Sequence, residues 1–118
     1  MHSRHRLSST AAIREVYAAG KRASSPSAGC VMLVRGTDTP RVAVVAGRKV
    51  GGAVARNRAK RRLRAALTPR MSELAPGTHA VVGATSRTAT APFEVLERDL
   101  ARIIATASAR VTAERVNG

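Results

Sequence analysis

Lys49-Val-Gly-Gly-Ala-Val-Ala-Arg-Asn-Arg-Ala-Lys-Arg-Arg-Leu-Arg-Ala-Ala-Leu67 is the stretch on which this 118-residue chain turns. It opens with a Gly-Gly pair and then runs without a breaker to Pro69, mostly in strong helix formers. The composition predicts a helix from about Ala53 to Leu67. On such a helix Ala55, Ala59, Leu63 and Ala66 share one side and form the stripe that packs on the domain. Asn57, Lys60, Arg61 and Arg64 fall together on another side, at i, i+3, i+4 and i+7, with Arg58 and Arg62 flanking them. No acidic residue occurs between Asp38 and Glu73 to neutralise these charges. Like charges at i,i+4 destabilise an isolated helix by a few tenths of a kcal/mol per pair. A polyanion removes that repulsion and releases counterions on binding. Basic side chains beside an Asn, which both donates and accepts, suit phosphates, sugars and base edges together.

The rest of the chain agrees with a polyanionic partner. Twenty-one Lys and Arg against seven Asp and Glu leave a net charge of +14, far from that of an ordinary soluble domain. The length suits one domain with one modest core. No apolar run approaches the ~20 residues of a membrane span. The basic start, Met1 to Arg6, leads into Ser8-Ser9-Thr10 and not into the apolar core of a secretory signal. Cys30 is the single cysteine, which excludes an internal disulfide and a Cys-rich zinc site. The cytoplasm follows as the expected compartment.

Taken in order, residues 1–9 read as a disordered basic tail, and residues 10–118 as a single RNA-binding domain. A short helix is expected between Thr10 as N-cap and Gly20 just past its end, with Ile13, Val16 and Tyr17 on its apolar stripe. Ser24 to Ser27 reads as a connector. Gly29 to Arg35 reads as a strand buried on both sides, Gly36 to Pro40 as a turn, and Arg41 to Ala46 as a second strand paired with the first in an antiparallel hairpin. After the basic helix, ended by Pro69, comes a strand at Thr78 to Thr85, with His79 facing solvent. Pro92 starts a final helix that buries Phe93, Leu96, Leu100, Ile103, Ile104 and Ala107. Glu94, Glu97 and Asp99 in its first two turns read as solvated charges that favour the helix dipole. The order is α-β-β-α-β-α, with room for an extra strand, in an α+β two-layer sandwich. General rules favour a right-handed crossover around the basic helix.

The run from Arg48 to Arg64 resembles the signature of the bacterial ribonuclease P protein subunit. The Arg-Asn-Arg-x-Lys-Arg-x-x-Arg pattern of Arg56, Asn57, Arg58, Lys60, Arg61 and Arg64 carries the resemblance. So do the preceding apolar strand and the Val50-Gly-x-Ala-Val54 lead-in, where Gly52 stands in place of the family's usual Asn. The likeness spans roughly residues 6 to 107. It implies the α+β fold shared with a ribosomal protein domain, with a left-handed β-α-β crossover that exposes the basic helix. It further implies assistance to a catalytic RNA that removes the 5′ leader of precursor tRNA using Mg²⁺ bound mainly by that RNA. Arg48, Lys49, Arg56, Asn57, Arg58, Lys60, Arg61, Arg62 and Arg64 would then engage the RNA subunit. A cleft near Ile13, Tyr17, Val31 and Leu33 would hold the leader; Ile13 stands where relatives tend to carry a ring.

The residues supply no catalyst of their own. The seven carboxylates share no chelating motif, and His2, His5 and His79 have no partner at metal or triad spacing. The sequence therefore predicts no catalytic residue, no metal held by the protein, no small-molecule substrate and no membrane partner. A ribosomal or ribosome-assembly RNA binder shares the same charge logic and is the alternative reading. A DNA-binding module lacks helix-turn-helix spacing, and a membrane-surface helix would need rings where this one has Ala. With one Tyr, one Phe and no Trp, stacking on nucleotides must be sparse and backbone electrostatics must dominate.

Overall fold

The computed structural model describes residues 2–117, with side chains through residue 113, so the outermost residues of the expected tail and domain, Met1 and Gly118, lie outside it. In chain order its elements are α1 (Thr10–Ala19), β1 (Lys21–Ser25), β2 (Ala28–Val34), β3 (Arg41–Val45), α2 (Ala53–Leu67), β4 (Thr78–Ala84) and α3 (Phe93–Asn117). The strands form one sheet in the order β1-β2-β4-β3.

β4 is the reason that β2 and β3 are not the hairpin their spacing suggested. It lies between them, antiparallel to β2 (Cys30 opposite Val82) and parallel to β3 (Val44 opposite Val82). The turn expected to close the hairpin is stitched to the start of β4 instead. Arg35 N–H donates to the Gly77 carbonyl at 2.8 Å, and Gly77 N–H to the Asp38 carbonyl at 2.6 Å. Gly77 has φ 82°, and a Cβ there would lie 2.2 Å from the Gly36 oxygen. Only glycine permits both the conformation and the approach. The parallel β3–β4 pair then needs a crossover, and α2 is that connection.

β1 was expected only as part of a connector. Its residues, Lys-Arg-Ala-Ser-Ser, are poor strand formers, yet they pair with β2 from Lys21 opposite Met32 to Ser25 opposite Ala28. Its polar character suits an edge, where one side of the strand faces solvent.

The two faces of the sheet carry separate apolar clusters. On one, Cys30, Met32, Val42, Ala80 and Val82 pack under Leu63, Ala66 and Leu67 of α2 and Leu96, Leu100, Ile103 and Ile104 of α3. On the other, Val31, Leu33, Ala43 and Val81 pack beneath Val16 of α1 and Leu7. Burial pushes the Cys30 thiol from 9.0 up to about 12, so it remains a protonated core group.

Several side chains take places the sequence alone did not assign. Where a disordered tail was expected, Leu7 is buried, its N–H donating to the Val42 carbonyl at 2.9 Å, and Arg6 bridges Val42. Ser9, not Thr10, caps α1, its Oγ accepting from Ala12 N–H at 3.3 Å. Gly20 caps the far end in extended backbone (φ −76°), so its need for glycine is space and not a left-handed turn. His79 does not face solvent: it is half-buried beside Leu33 and Arg41, and its Nδ1 is enclosed without a hydrogen-bond partner among the described residues. Asp99 is not a solvated helix charge either. It is 8% exposed and accepts from Ser27 Oγ at 2.7 Å. Thr88 Oγ1 donates to the Ser27 carbonyl and Thr85 Oγ1 to the Pro26 carbonyl, both at 2.6 Å. This knot ties the β1–β2 turn to the loop after β4 and to α3.

Gly20 and Gly29 provide a paired test of packing. A Cβ on Gly20 would meet the Val16 oxygen at 2.5 Å and Val31 Cγ1 at 2.7 Å, whereas one on Gly29 would meet nothing within 4 Å. Gly20→Ala should lower unfolding free energy by about 1–3 kcal/mol in urea titrations. Gly29→Ala should leave it unchanged or raise it by up to about 1 kcal/mol. Equal effects would mean that the contact of α1 with β2 is looser than this packing requires.

Candidate nucleic-acid interface

α2 occupies Ala53–Leu67, the span its composition predicts, and buries Ala59, Leu63, Ala66 and Leu67; Ala55 is half-buried. Its N-terminus is bare. Gly51 turns the chain at φ 134°, Gly52 caps without a side-chain hydrogen bond, and no acidic residue stands in the first turn. The unpaired N–H groups and positive dipole end therefore add to the side-chain charge. Arg48 and Lys49, in a 3-10 turn just ahead of the helix, are exposed.

The basic residues of α2 divide by what they touch. Arg56, Lys60 and Arg64 form a half-buried row at i, i+4 and i+8, with exposed Asn57 and Arg61 beside it. The ion pairs Arg35–Glu15 (3.3 Å) and Arg70–Glu73 (3.0 Å) lie off this helix. Arg58 and Arg62 turn the other way, onto the loop between β4 and α3. Arg58 Nε donates to the Ala89 carbonyl at 3.0 Å. Arg62 donates to the Thr88 and Ala91 carbonyls and lies 5.9 Å from the centre of the Phe93 ring. Two of the six cations on α2 thus hold the protein's own loop, a use no periodicity reveals because their partners are backbone carbonyls about 30 residues away.

The second candidate surface lies on the opposite face of the sheet, beside α1. A groove of about 310 Å³ is lined by Tyr17, Arg22, Ser24, Gly29, Val31 and Gly83, among others. Tyr17 is 43% exposed at its rim, with the Arg22 guanidinium 5.9 Å from the ring centre. Gly29 and Gly83 are register partners on β2 and β4, so that part of the floor carries no side chains, while the pair Val31 and Val81 lines the part beside it. Of the four residues predicted for this cleft, Tyr17 and Val31 line it. Ile13 and Leu33 belong to the apolar cluster under α1. Arg22, Ser24 and the two floor glycines were not anticipated, because β1 was not recognised as a strand. Among the described residues no group of three or more His, Cys, Asp or Glu is placed to hold a metal ion, and no helix is long and apolar enough to cross a membrane.

Both the sequence and the fold have counterparts among known proteins. A sequence model of the family described as Ribonuclease P matches residues 1–108. The ribonuclease P protein component of Kocuria rhizophila is 37% identical over 110 residues, 92% of this chain and 96% of that one. That of Symbiobacterium thermophilum is 39% identical over 99 residues, 83% and 86% of the two chains. That of Beutenbergia cavernae is 52% identical over 63 residues, 53% of each. Among solved structures, the ribonuclease P protein of Staphylococcus aureus superposes with a TM-score of 0.74 at 18% identity, covering 88% of this chain and 97% of that one. The Thermotoga maritima protein gives 0.72 at 22% identity, covering 84% and 94%. At these identities the superpositions speak for the fold.

The division of α2 has a measurable consequence. Arg62→Ala should destabilise the fold by roughly 1–3 kcal/mol, since it leaves two loop carbonyls without their charged donor. Arg61→Ala should leave stability within about 0.5 kcal/mol of the parent. For RNA binding the order should reverse. Arg61→Ala should reduce the salt slope by roughly 0.7–0.9, the share of one phosphate, and Arg62→Ala should change it less. Denaturant titration and binding at several salt concentrations check both halves.

Proposed function

This chain belongs to the ribonuclease P protein family, and on that premise we propose that it works as the noncatalytic subunit of a ribonucleoprotein that trims 5′ leaders from precursor tRNA. One observation supports the reading above the others. Two surfaces of different character occupy opposite faces of one small sheet, a cationic helix on one and a groove with an exposed ring on the other. A helix studded with cations fits the phosphates of a folded RNA. A shallow groove with one ring and an arginine fits a single strand, by stacking and backbone attraction.

In this reading Arg56, Asn57, Lys60, Arg61 and Arg64 engage the RNA subunit, with Arg48 and Lys49 extending the contact past the bare helix N-terminus. Arg58 and Arg62 hold the loop that abuts them. Tyr17 and Val31 receive the leader. The RNA subunit would carry the chemistry, and Mg²⁺ held mainly by that RNA would supply an activated water and stabilisation of phosphate charge. The protein's arginines can stabilise negative charge but cannot deprotonate water. Its contribution is to bring leader and RNA subunit together and screen their mutual repulsion, so the assistance is greatest where Mg²⁺ is scarce. The cytoplasm, where tRNA precursors arise, is the compartment this activity requires.

Reconstitution with the RNA subunit tests this directly. RNA-free protein should leave precursor tRNA intact, while the assembled enzyme should cleave it at lower Mg²⁺ than the RNA alone requires. Cleavage at the mature 5′ end by purified, RNA-free protein would place the chemistry on the wrong partner. Within the assembled enzyme, Tyr17→Ala should weaken precursor binding by ~1–3 kcal/mol and barely alter binding of mature tRNA. Equal losses on both would remove Tyr17 from the leader path.

A further inference from the structure

The groove beside Tyr17 does not stop at β1. Arg22 and Ser24 also line a second hollow, of about 320 Å³, on the other side of that edge strand, where α3 passes under it. From α3 come Arg102, Thr106 and Arg110, spaced i, i+4 and i+8 and so aligned along one stripe. Arg102 and Arg110 are exposed. The Arg110 guanidinium donates to the Arg22 carbonyl, which fixes it at the edge of β1. Arg22 itself donates to the Tyr17 carbonyl at 3.3 Å. Arg22, Arg110 and Arg102 therefore carry positive charge from the Tyr17 rim around the sheet edge onto α3.

The lining contains no carboxylate among the described residues. Glu94, Glu97 and Asp99 lie nearer the start of α3, and Asp99 is already engaged by Ser27. What remains is concave, cationic and edged by hydroxyls, which suits a phosphodiester backbone better than a base or an apolar chain. The crossing point is open as well, because Ala23 and Ser24 put nothing bulky in the way of a strand passing over β1.

We propose that the hollow formed by Arg22, Arg102 and Arg110 binds backbone phosphates of a single-stranded polynucleotide that has left the Tyr17 groove across β1. It is a distal strand site, filled only by leaders long enough to turn the sheet edge. The proposal rests on the reading of the Tyr17 groove as the leader path. The same phosphate chemistry could be supplied by the RNA subunit, and the test separates the two sources.

The assembled enzyme is titrated with mature tRNA and with precursors bearing leaders of roughly 4 and roughly 16 nucleotides, the range one small single-strand domain covers. The parent should favour the long leader over the short one. The Arg102→Ala/Arg110→Ala variant should lose that preference, on the order of tenfold at ~0.1 M salt, with a salt slope lower by roughly 0.7 for each phosphate that is no longer neutralised. Its affinity for the short leader and for the RNA subunit should stay as in the parent. Because Arg110 also holds β1, Arg102→Ala alone should show part of the same loss, and Arg102→Lys should restore most of it. Equal losses on both leaders, or none on the long one, would overturn the proposal. Weakened binding of the RNA subunit would assign the hollow to that RNA and overturn it too. If the parent binds a short leader more tightly than none but a longer one no better, this inference falls and the groove reading stands. If the parent does not distinguish precursor from mature tRNA, both fall together.

Discussion

The interaction on which the rest depends is the narrow apolar seam that holds α2 down. Leu63, Ala66 and Leu67 bury fully against α3 and the sheet, with Ala59 buried beside them, while the remainder of the helix carries six cations and no acid. In isolation such a helix would be marginal, close to the ~12–15 residues below which helices do not persist in water and weakened by like-charge neighbours. Packing supplies what propensity and charge withhold. The seam also needs α3 beneath it and β4 inserted between β2 and β3, so the topology of the whole sheet serves to keep one repulsive helix straight and outward-facing.

The parts legible from sequence were those in which one segment states its own structure. The bounds of α2 and the buried stripe of α3 followed from period and composition, and the polyanionic partner from charge. Pairing of strands did not follow, because β2 and β3 are local in sequence and their partner β4 is not. The stitching of Gly77 to Gly36 and Asp38 decides the matter, and no pattern within residues 28–46 announces it. β1 escaped because Lys-Arg-Ala-Ser-Ser lacks apolar alternation, and with it escaped Arg22 and Ser24 as groove residues. Asp99 looked like a helix-dipole charge because its partner, Ser27, lies 72 residues away. Of the candidate site, Tyr17 and Val31 were found through resemblance and do line the groove. Ile13 and Leu33 share their helix and strand but point into the cluster under α1.

Arg58 and Arg62 show how one motif can serve two purposes. Arginine's rigid fork reaches a loop carbonyl as readily as a phosphate oxygen. On α2 the choice is made by side: Arg58 and Arg62, on one flank of the buried seam, meet the β4–α3 loop, while Arg56, Lys60 and Arg64 lie half-buried on the other and Arg61 is exposed. A basic motif read only as a sum of charges misses this second use, since two of the six cations of α2 already have partners within the chain.

The pair Gly29 and Gly83 has a consequence for what such a protein can tell apart. Their backbone groups are committed to the sheet and they offer no side chain, so at this pair the groove presents nothing against which to check a base; the polar side chains of the lining are those of Tyr17, Arg22, Ser24 and Thr85. A nucleotide placed over this pair would meet bare backbone whatever letter it bears. On the leader path proposed above, selection by sequence would then fall to other parts of the assembly, and this chain would serve as a generalist.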